Sequence, residues 1–265
     1  KPYIPGSTLK GAVENALNFA ILITFFEKKK EQILRFLHSR PRLTEGYMLK
    51  MIFGDDEKKA DDFMKEVYSC LSCSDIYFEE IEVNDEIRYH VYKDQEIPME
   101  VPECIASGQE TILKNLVQFD EMKVRKIREN KEWPEEYKQI LVLLAPGLLS
   151  KTCNQYTLYM LKAEQTDDLY SFYCDFEPIN SVLRQIKSDI KECGQNEFYL
   201  RVGMHTNYFA KTISYFFKEK IPEQYSREFD DLFTPIPLRN KVHPDARKMP
   251  VTRTILFNEK QGNML

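Results

Sequence analysis

Apolar residues recur at helical spacing in several long stretches of this chain. Residues 9–37 show this period, and their candidate buried face consists of Leu17, Ala20, Ile21, Thr24 and Phe25. Further helices are predicted over residues 121–165, 180–193 and 209–218. The sequence Ala145-Pro146-Gly147 is expected to interrupt the first of these, since proline and glycine break helical periodicity.

Alternating apolar and polar positions predict strands between these helices. Residues 76–83 and 87–92 are rich in strand-forming residues, and Asn84-Asp85 between them is typical of a hairpin turn. A second strand pair is predicted over residues 99–106 and 111–119, although a helix over the latter stays open. Short strands are predicted over residues 198–202 and 252–257. The mixture favours an α+β fold over a wound parallel sheet.

Composition limits the class of protein. The chain has 265 residues, of which 43% are hydrophobic and 30% charged, as expected for one or two globular domains. It has no uninterrupted apolar run of about 18 residues and no signal peptide, so we expect no membrane span and a cytoplasmic location. The six scattered cysteines are expected to be reduced thiols, and the single motif Cys70-Leu71-Ser72-Cys73 lacks the further ligands of a zinc site. We therefore expect no metal and no cofactor.

Charge is distributed unevenly along the chain. The net charge of −5 argues against a generic nucleic-acid binder, and residues 54–100 alone carry an excess of ten acidic side chains. Residues 235–253 carry an excess of four basic ones. This asymmetry suggests a basic face for a polyanion, while the acidic part is better explained as solvated surface.

The first ten residues predict a turn followed by a helix start. Pro5-Gly6 is a turn signal, and Ser7 or Thr8 is a suitable N-cap. Lys10 opposes the helix dipole in the first turn, which is explained if an anion such as phosphate binds there. An ordinary capped helix is the alternative.

A second group of candidate RNA contacts lies near the other end of the chain. Residues 199–213 are predicted to form a strand, a loop and a helix, with Arg201, His205 and Lys211 as donors to phosphate and Tyr208 or Phe209 able to stack on a base. Arg253 follows in a basic segment that leads into the last predicted strand. An ion pair with the acidic hairpin is the alternative for Arg253.

These motifs resemble those of a known family. Residues 4–11 are similar to the (I/V)PGSSL(K/R)G signature of the RAMP superfamily of CRISPR RNA-binding subunits. Together with the Ser-Asp element in residues 71–75, the loop 201–212 and the final Pro-x-Thr-Arg of residues 250–253, they resemble the capping (fifth) subunit of the type III-A Csm complex. His205 departs from the pattern because it stands where a second glycine is expected.

The resemblance implies a fold and an organisation. It implies a RAMP ferredoxin-like (RRM-like) core with a large helical portion. Residues 1–120 and 195–265 would supply the core elements, and residues 121–194 a mainly helical insertion or subdomain. The family's first strand and helix would precede Lys1.

The resemblance also implies a function. The protein would be a non-catalytic crRNA-binding subunit at the crRNA 3′-end side of the complex, supporting crRNA 3′-end maturation in antiviral defence. Its partners would be crRNA, the backbone RAMP subunit, the small subunit, target RNA and host nucleases. The candidate RNA-binding residues are Ser7, Thr8, Lys10, Arg201, His205, Lys211 and Arg253.

Three other functions stay open at this point. The chain could be the repeated RAMP backbone subunit, which cleaves target RNA, or a ribonuclease that processes precursor crRNA with His205 and Lys211. It could also be a protein-only scaffold that uses the exposed-looking Tyr156, Tyr159 and Tyr170.

Overall fold

Helices and short antiparallel strands make up the described part of the chain. The computed structural model describes residues 3–39, 46–54, 57–78, 83–92, 95–100, 103–105, 116–166, 177–202, 213–224, 253–258 and 263–264. Its helices are α1 (Gly6–His38), α2 (Tyr47–Phe53), α3 (Glu57–Ser69), α4 (Glu121–Glu129), α5 (Glu135–Lys138), a 3-10 helix (Gln139–Leu144), α6 (Pro146–Thr166), α7 (Glu177–Glu192) and α8 (Ser214–Lys220). Its strands are β1 (Tyr3–Ile4), β2 (Leu71–Cys73), β3 (Ile76–Tyr77), β4 (Val83–Tyr92), β5 (Gln95–Glu100), β6 (Glu103–Ile105), β7 (Val117–Phe119), β8 (Arg253–Asn258) and β9 (Asn263–Met264). The α+β class is therefore confirmed.

The 33-residue helix α1 lies at the centre of the hydrophobic core. It packs against α2 and α6, so its buried surface is wider than the single face that the periodicity predicted. Leu17, Ile21 and Phe25 are buried as predicted, but Thr24 is exposed, and its hydroxyl donates to the Ala20 carbonyl at 2.7 Å. The predicted helix is confirmed, and its face is corrected.

Helix α1 is long and apolar enough, by length and composition, to cross a membrane. However, 61% of its most apolar 18-residue window is buried inside the protein. A core helix has these same properties, and the packing of α1 against other helices accounts for its apolar composition.

Aromatic rings join α1 to α6 and α8. The ring centroid of Phe19 lies 5.4 Å from that of Tyr156, 4.6 Å from that of Tyr159 and 6.1 Å from that of Phe216. Tyr156 is buried and Tyr159 is largely buried, so the prediction that these two tyrosines are exposed is wrong. Tyr170 lies outside the described residues.

The strands pair differently from the sequence prediction. Strand β4 continues through Asn84 and Asp85, because these residues pair with Cys104 and Glu103 of β6. The hairpin predicted at this point is therefore wrong, and β4 pairs instead with β5 and β8. Strand β9 extends this antiparallel sheet beyond β8.

Two smaller strand pairs lie nearer to α1. Strand β3 pairs with β1, and β7 pairs with β2, both antiparallel. The second predicted strand pair, between residues 99–106 and 111–119, is therefore wrong, since the partner of β7 is β2. Both pairings join segments far apart in sequence, which local patterns do not reveal.

Most of the remaining predictions agree with the described elements, except the strand over residues 198–202 and the additional break between α4 and α5. The helical region after residue 121 is interrupted at Ala145 as predicted, and α6 begins at Pro146. Helix α7 and strand β8 match their predicted ranges within a few residues. Residues 198–202 have no strand pairing in the described part of the chain. The division into core segments 1–120 and 195–265 and an insertion 121–194 stays a prediction.

Candidate nucleic-acid interface

A carboxylate from another part of the chain caps the start of α1. Pro5 is the N-cap residue with extended backbone angles, and no side chain of its own segment caps the helix. The Gly6 amide donates to Oδ1 of Asp75 at 2.7 Å, and the Thr8 amide donates to the Pro5 carbonyl at 2.9 Å. The prediction that Ser7 or Thr8 is the N-cap is therefore wrong, because proline fixes the turn and Asp75 accepts the first amide hydrogen.

Gly6 is required by the close approach of α1 to the end of β2. A Cβ atom on Gly6 would overlap the carbonyl oxygen of Cys73 and lie 2.9 Å from the carbonyl carbon of Ser74. The Pro-Gly turn and the Ser-Asp element, separated by about 70 residues in sequence, thus form one packed unit.

The candidate phosphate contacts of this turn differ in accessibility. Ser7 is exposed, and Thr8 is half-buried with its amide already bonded to Pro5. Lys10 is partly exposed, and its Nζ lies 3.9 Å from a carboxylate oxygen of Glu14. Because the amides of Gly6 and Thr8 have acceptors within the protein, contacts to an anion here would come from the Ser7 hydroxyl and the Lys10 ammonium.

Two thiols lie between this turn and α6, that of Cys73 in β2 and that of Cys153 in α6. Burial raises the pKa of the Cys73 thiol, and the neighbouring Lys10 charge partly offsets that increase. Burial raises the pKa of Cys153, in α6, to about 12, with a smaller contribution from Cys73. These thiols are therefore protonated core residues.

Cys70 also has a raised pKa because of burial. In the described ranges, no group of three or more histidine, cysteine or acidic side chains is arranged to hold a metal ion.

Residues 197–202 form the Arg201 segment, whose backbone is hydrogen-bonded to side chains of α6. The Asn154 amide donates to the Glu197 carbonyl at 2.9 Å and accepts from the Tyr199 amide at 2.9 Å. The Thr157 hydroxyl donates to the Tyr199 carbonyl at 2.6 Å. These contacts satisfy backbone groups of a segment that has no strand partner in the described residues.

Arg201 lies beside α6. Burial raises the pKa of Tyr156, and the positive charge of Arg201 counters part of this increase. Arg201 is half-buried, so its guanidinium is close to the protein body and partly accessible.

Helix α8 also contacts α6. Nζ of Lys162 lies 2.8 Å from Oε1 of Glu219, and this bond lowers the pKa of Glu219. Phe216 packs against Phe19 and Phe26 of α1 with edge-on geometry. Helix α6 therefore holds both flanks of the segment between Val202 and Ile213.

Replacing Asn154 by alanine removes two hydrogen bonds between α6 and the Arg201 segment, and we expect the backbone of that segment to open more often. The Tyr199 amide loses its acceptor, so its hydrogen exchange should accelerate by about five- to tenfold, as expected for one hydrogen bond. Hydrogen exchange resolved to this peptide measures the effect. Gln155→Ala, at the exposed neighbouring position, should leave exchange unchanged, and equal protection in both variants would contradict the anchoring role.

Of the other candidate RNA contacts, the structure describes only Arg253. His205 and Lys211 lie outside the described residues. Arg253 is the first residue of β8 and pairs with Val91 of β4. The structure thus joins the start of α1, the Ser-Asp element and the Arg201 segment around α6.

Sequence reasoning missed the residues that hold this arrangement. Asp75 belongs to the predicted Ser-Asp element, but nothing in its local sequence marks it as a helix cap, because its partner Gly6 lies 69 residues away. Asn154 and Thr157 lie within a helical pattern that gives no sign of their backbone partners. Only three-dimensional proximity identifies them.

The fold is similar to that of one chain in the cryo-EM structure of a Csm-crRNA-target RNA ternary complex of a type III-A CRISPR-Cas system. The two chains superpose with a TM-score of 0.57 and 16% sequence identity, over 98% of this chain and 70% of that chain. They share a fold. The sequence itself matches no family model and no curated protein significantly.

Proposed function

We propose that this protein is a crRNA-binding subunit of a type III-A Csm complex. The observation that carries the proposal is the fold shared, over 98% of the chain, with a chain of a Csm-crRNA-target RNA complex. The RAMP-like signature of residues 4–11 supports it independently, since it was found from the residues alone.

The finer proposal is that the protein caps the complex at the crRNA 3′-end side. In this role it binds RNA without catalysing a reaction and supports 3′-end maturation, with host nucleases performing the cleavage. Its other partners are the backbone RAMP subunit, the small subunit and target RNA, and it acts in the cytoplasm. The RAMP ferredoxin-like core belongs to this same proposal.

The described geometry supports Ser7, Lys10 and Arg201 as proposed contacts to RNA. The Ser7 hydroxyl and the Lys10 ammonium lie at the surface of the α1 start, and Arg201 is held beside α6 by the Asn154-anchored segment. Each contact to a phosphate releases condensed counterions, so affinity falls as salt rises. His205, Lys211 and Arg253 complete the proposed set.

Lys10→Glu tests the α1 start as a phosphate site. The change replaces a cation with an anion that repels the RNA phosphates, so RNA affinity should fall. The slope of log affinity against log salt concentration should decrease in magnitude by about one unit. Titration of full-length protein with single-stranded RNA at several salt concentrations measures both quantities. Lys126→Glu, an identical charge change at an exposed position of α4, is the matched control, and equal effects of the two variants would remove Lys10 from the site.

Co-purification tests the proposed function as a whole. The full-length protein is purified together with the products of neighbouring genes, and any bound RNA is sized. A particle whose repeat-derived RNA changes length when this subunit is removed would support the capping role. A monomer without RNA or partners would overturn it.

The alternatives give different outcomes in the same experiment. Loss of target-RNA cleavage on removal of this subunit would indicate the repeated backbone subunit. The scaffold hypothesis relied on exposed tyrosines, and the burial of Tyr156 and Tyr159 removes two of the three residues behind it.

A further inference from the structure

Two tyrosines on the β1–β3 ribbon present a stacked aromatic pair to solvent. Tyr3 and Tyr77 are directly paired across the two strands, and their ring centroids lie 5.4 Å apart with an interplanar angle of 16°. Their side chains are 48% and 55% exposed. The next pair along the ribbon, Ile4 and Ile76, is half-buried, so the ribbon has an apolar inner side and an aromatic outer side.

The carboxylate that caps α1 also fixes this pair. Oδ2 of Asp75 accepts a hydrogen bond from the Tyr77 hydroxyl at 3.0 Å, while Oδ1 accepts from the Gly6 amide at 2.7 Å. The bond to Asp75 also raises the pKa of Tyr77 above its ordinary value. The Tyr77 ring is therefore held at a fixed position relative to the start of α1 before any ligand binds.

The described surroundings of the pair are polar. Ser7, Ser74 and Asp75 are exposed, and Lys10 lies one helical turn after Gly6 on the same side of α1, next to Cys73. An exposed aromatic pair bordered by hydroxyl groups, one ammonium and one carboxylate differs from the apolar centre of a protein–protein interface. Its stacked rings, with the Lys10 ammonium on the adjacent turn of α1, match the aromatic platforms of single-stranded nucleic-acid sites.

We propose that the Tyr3–Tyr77 pair is a stacking platform for a base of single-stranded RNA. The inference rests on the proposed function, since it assigns a further contact to the same RNA ligand. The two rings are already nearly parallel and about half exposed, so a base can add to their exposed surface without reorganising the protein. Stacking of this kind tolerates every base, so the platform would position the RNA without reading its sequence.

The test compares ring removal with hydroxyl removal at one position. Full-length Tyr77→Ala should bind labelled single-stranded RNA about tenfold more weakly than wild type, as measured by fluorescence anisotropy, because a stacked base loses its platform. Its salt slope should stay unchanged, since no phosphate contact is removed. Tyr77→Phe keeps the ring and should bind within about twofold of wild type, and Met122→Ala, at an exposed apolar position of α4, should bind like wild type.

A second measurement covers the case in which Tyr77→Ala folds poorly. RNA containing 4-thiouridine is photo-crosslinked to the wild-type protein in its RNA particle, and the crosslinked peptides are mapped. Crosslinks within residues 3–4 or 76–77 support the platform, and their absence, with crosslinks elsewhere, overturns it.

The outcomes separate this inference from the proposed function. If wild type binds RNA and Tyr77→Ala and Tyr3→Ala bind equally well, the platform is overturned and the proposed function stands. If these variants keep their RNA affinity but lose a co-purifying protein subunit, the pair is a protein contact and the platform is likewise overturned. If the wild-type particle contains no RNA, the proposed function itself fails.

Discussion

Gly6→Ala is expected to lower the free energy of unfolding by about 2 kcal/mol or more. The added Cβ would overlap the Cys73 carbonyl and crowd the Ser74 backbone, and neither group can move aside as a flexible side chain would. Moving α1 away would also lengthen the bond from the Gly6 amide to Asp75. Urea denaturation followed by circular dichroism measures the change.

The same helix provides a matched control for this substitution. A Cβ on Gly11 would meet no other atom within 4 Å, so Gly11→Ala gains helix propensity without overlap. We expect it to raise the free energy of unfolding by about 0.5–1 kcal/mol. If both variants change stability in the same direction, the close packing between α1 and β2 is not the reason for the glycine.

Phe19→Ala is expected to have the largest effect on stability, a loss of about 3–5 kcal/mol. Phe19 is almost completely buried, and its ring packs against Tyr156 and Tyr159 of α6 and Phe216 of α8. Its removal leaves a cavity at the point where three helices meet. Thermal and urea unfolding measure the loss.

Ile23→Ala is the control, since Ile23 lies one turn further along α1 and is 47% exposed. Its truncation should change the free energy of unfolding by less than about 0.5 kcal/mol. A similar loss in both variants would mean that the burial of Phe19 and the exposure of Ile23 are assigned incorrectly.

The helices could be predicted from the sequence because their signals are local. The period of apolar residues identified α1 and α7, and Pro146 marked the start of α6. The buried face of α1 was predicted less accurately, because α1 is covered from more than one side. Thr24 fits the helical spacing but is exposed.

The strand pairings could not be predicted because their partners are distant in sequence. Asn84-Asp85 has the composition of a turn, but pairing with β6 keeps these residues within a continuous strand. Strand β3 lies within the predicted strand 76–83, but its partner β1 is only two residues long and about 70 residues away in sequence.

The sequence predicted several residues of the candidate site, but it did not predict which residues hold them in place. The residues Ser7, Lys10 and Arg201 were identified from motifs, and the structure places them on elements that pack on α6 or α1. Their positioning depends on Asp75, Asn154 and Thr157, which act through backbone groups that a sequence pattern does not display.

The attachment of both flanks to α6 has a consequence for how this protein can vary in evolution. Since the chain is attached to α6 at Tyr199 and again at Glu219, both attachments are made by residues outside the segment between Val202 and Ile213. Insertions and deletions there are therefore compatible with an unchanged helical body, and relatives could exchange this segment as a module.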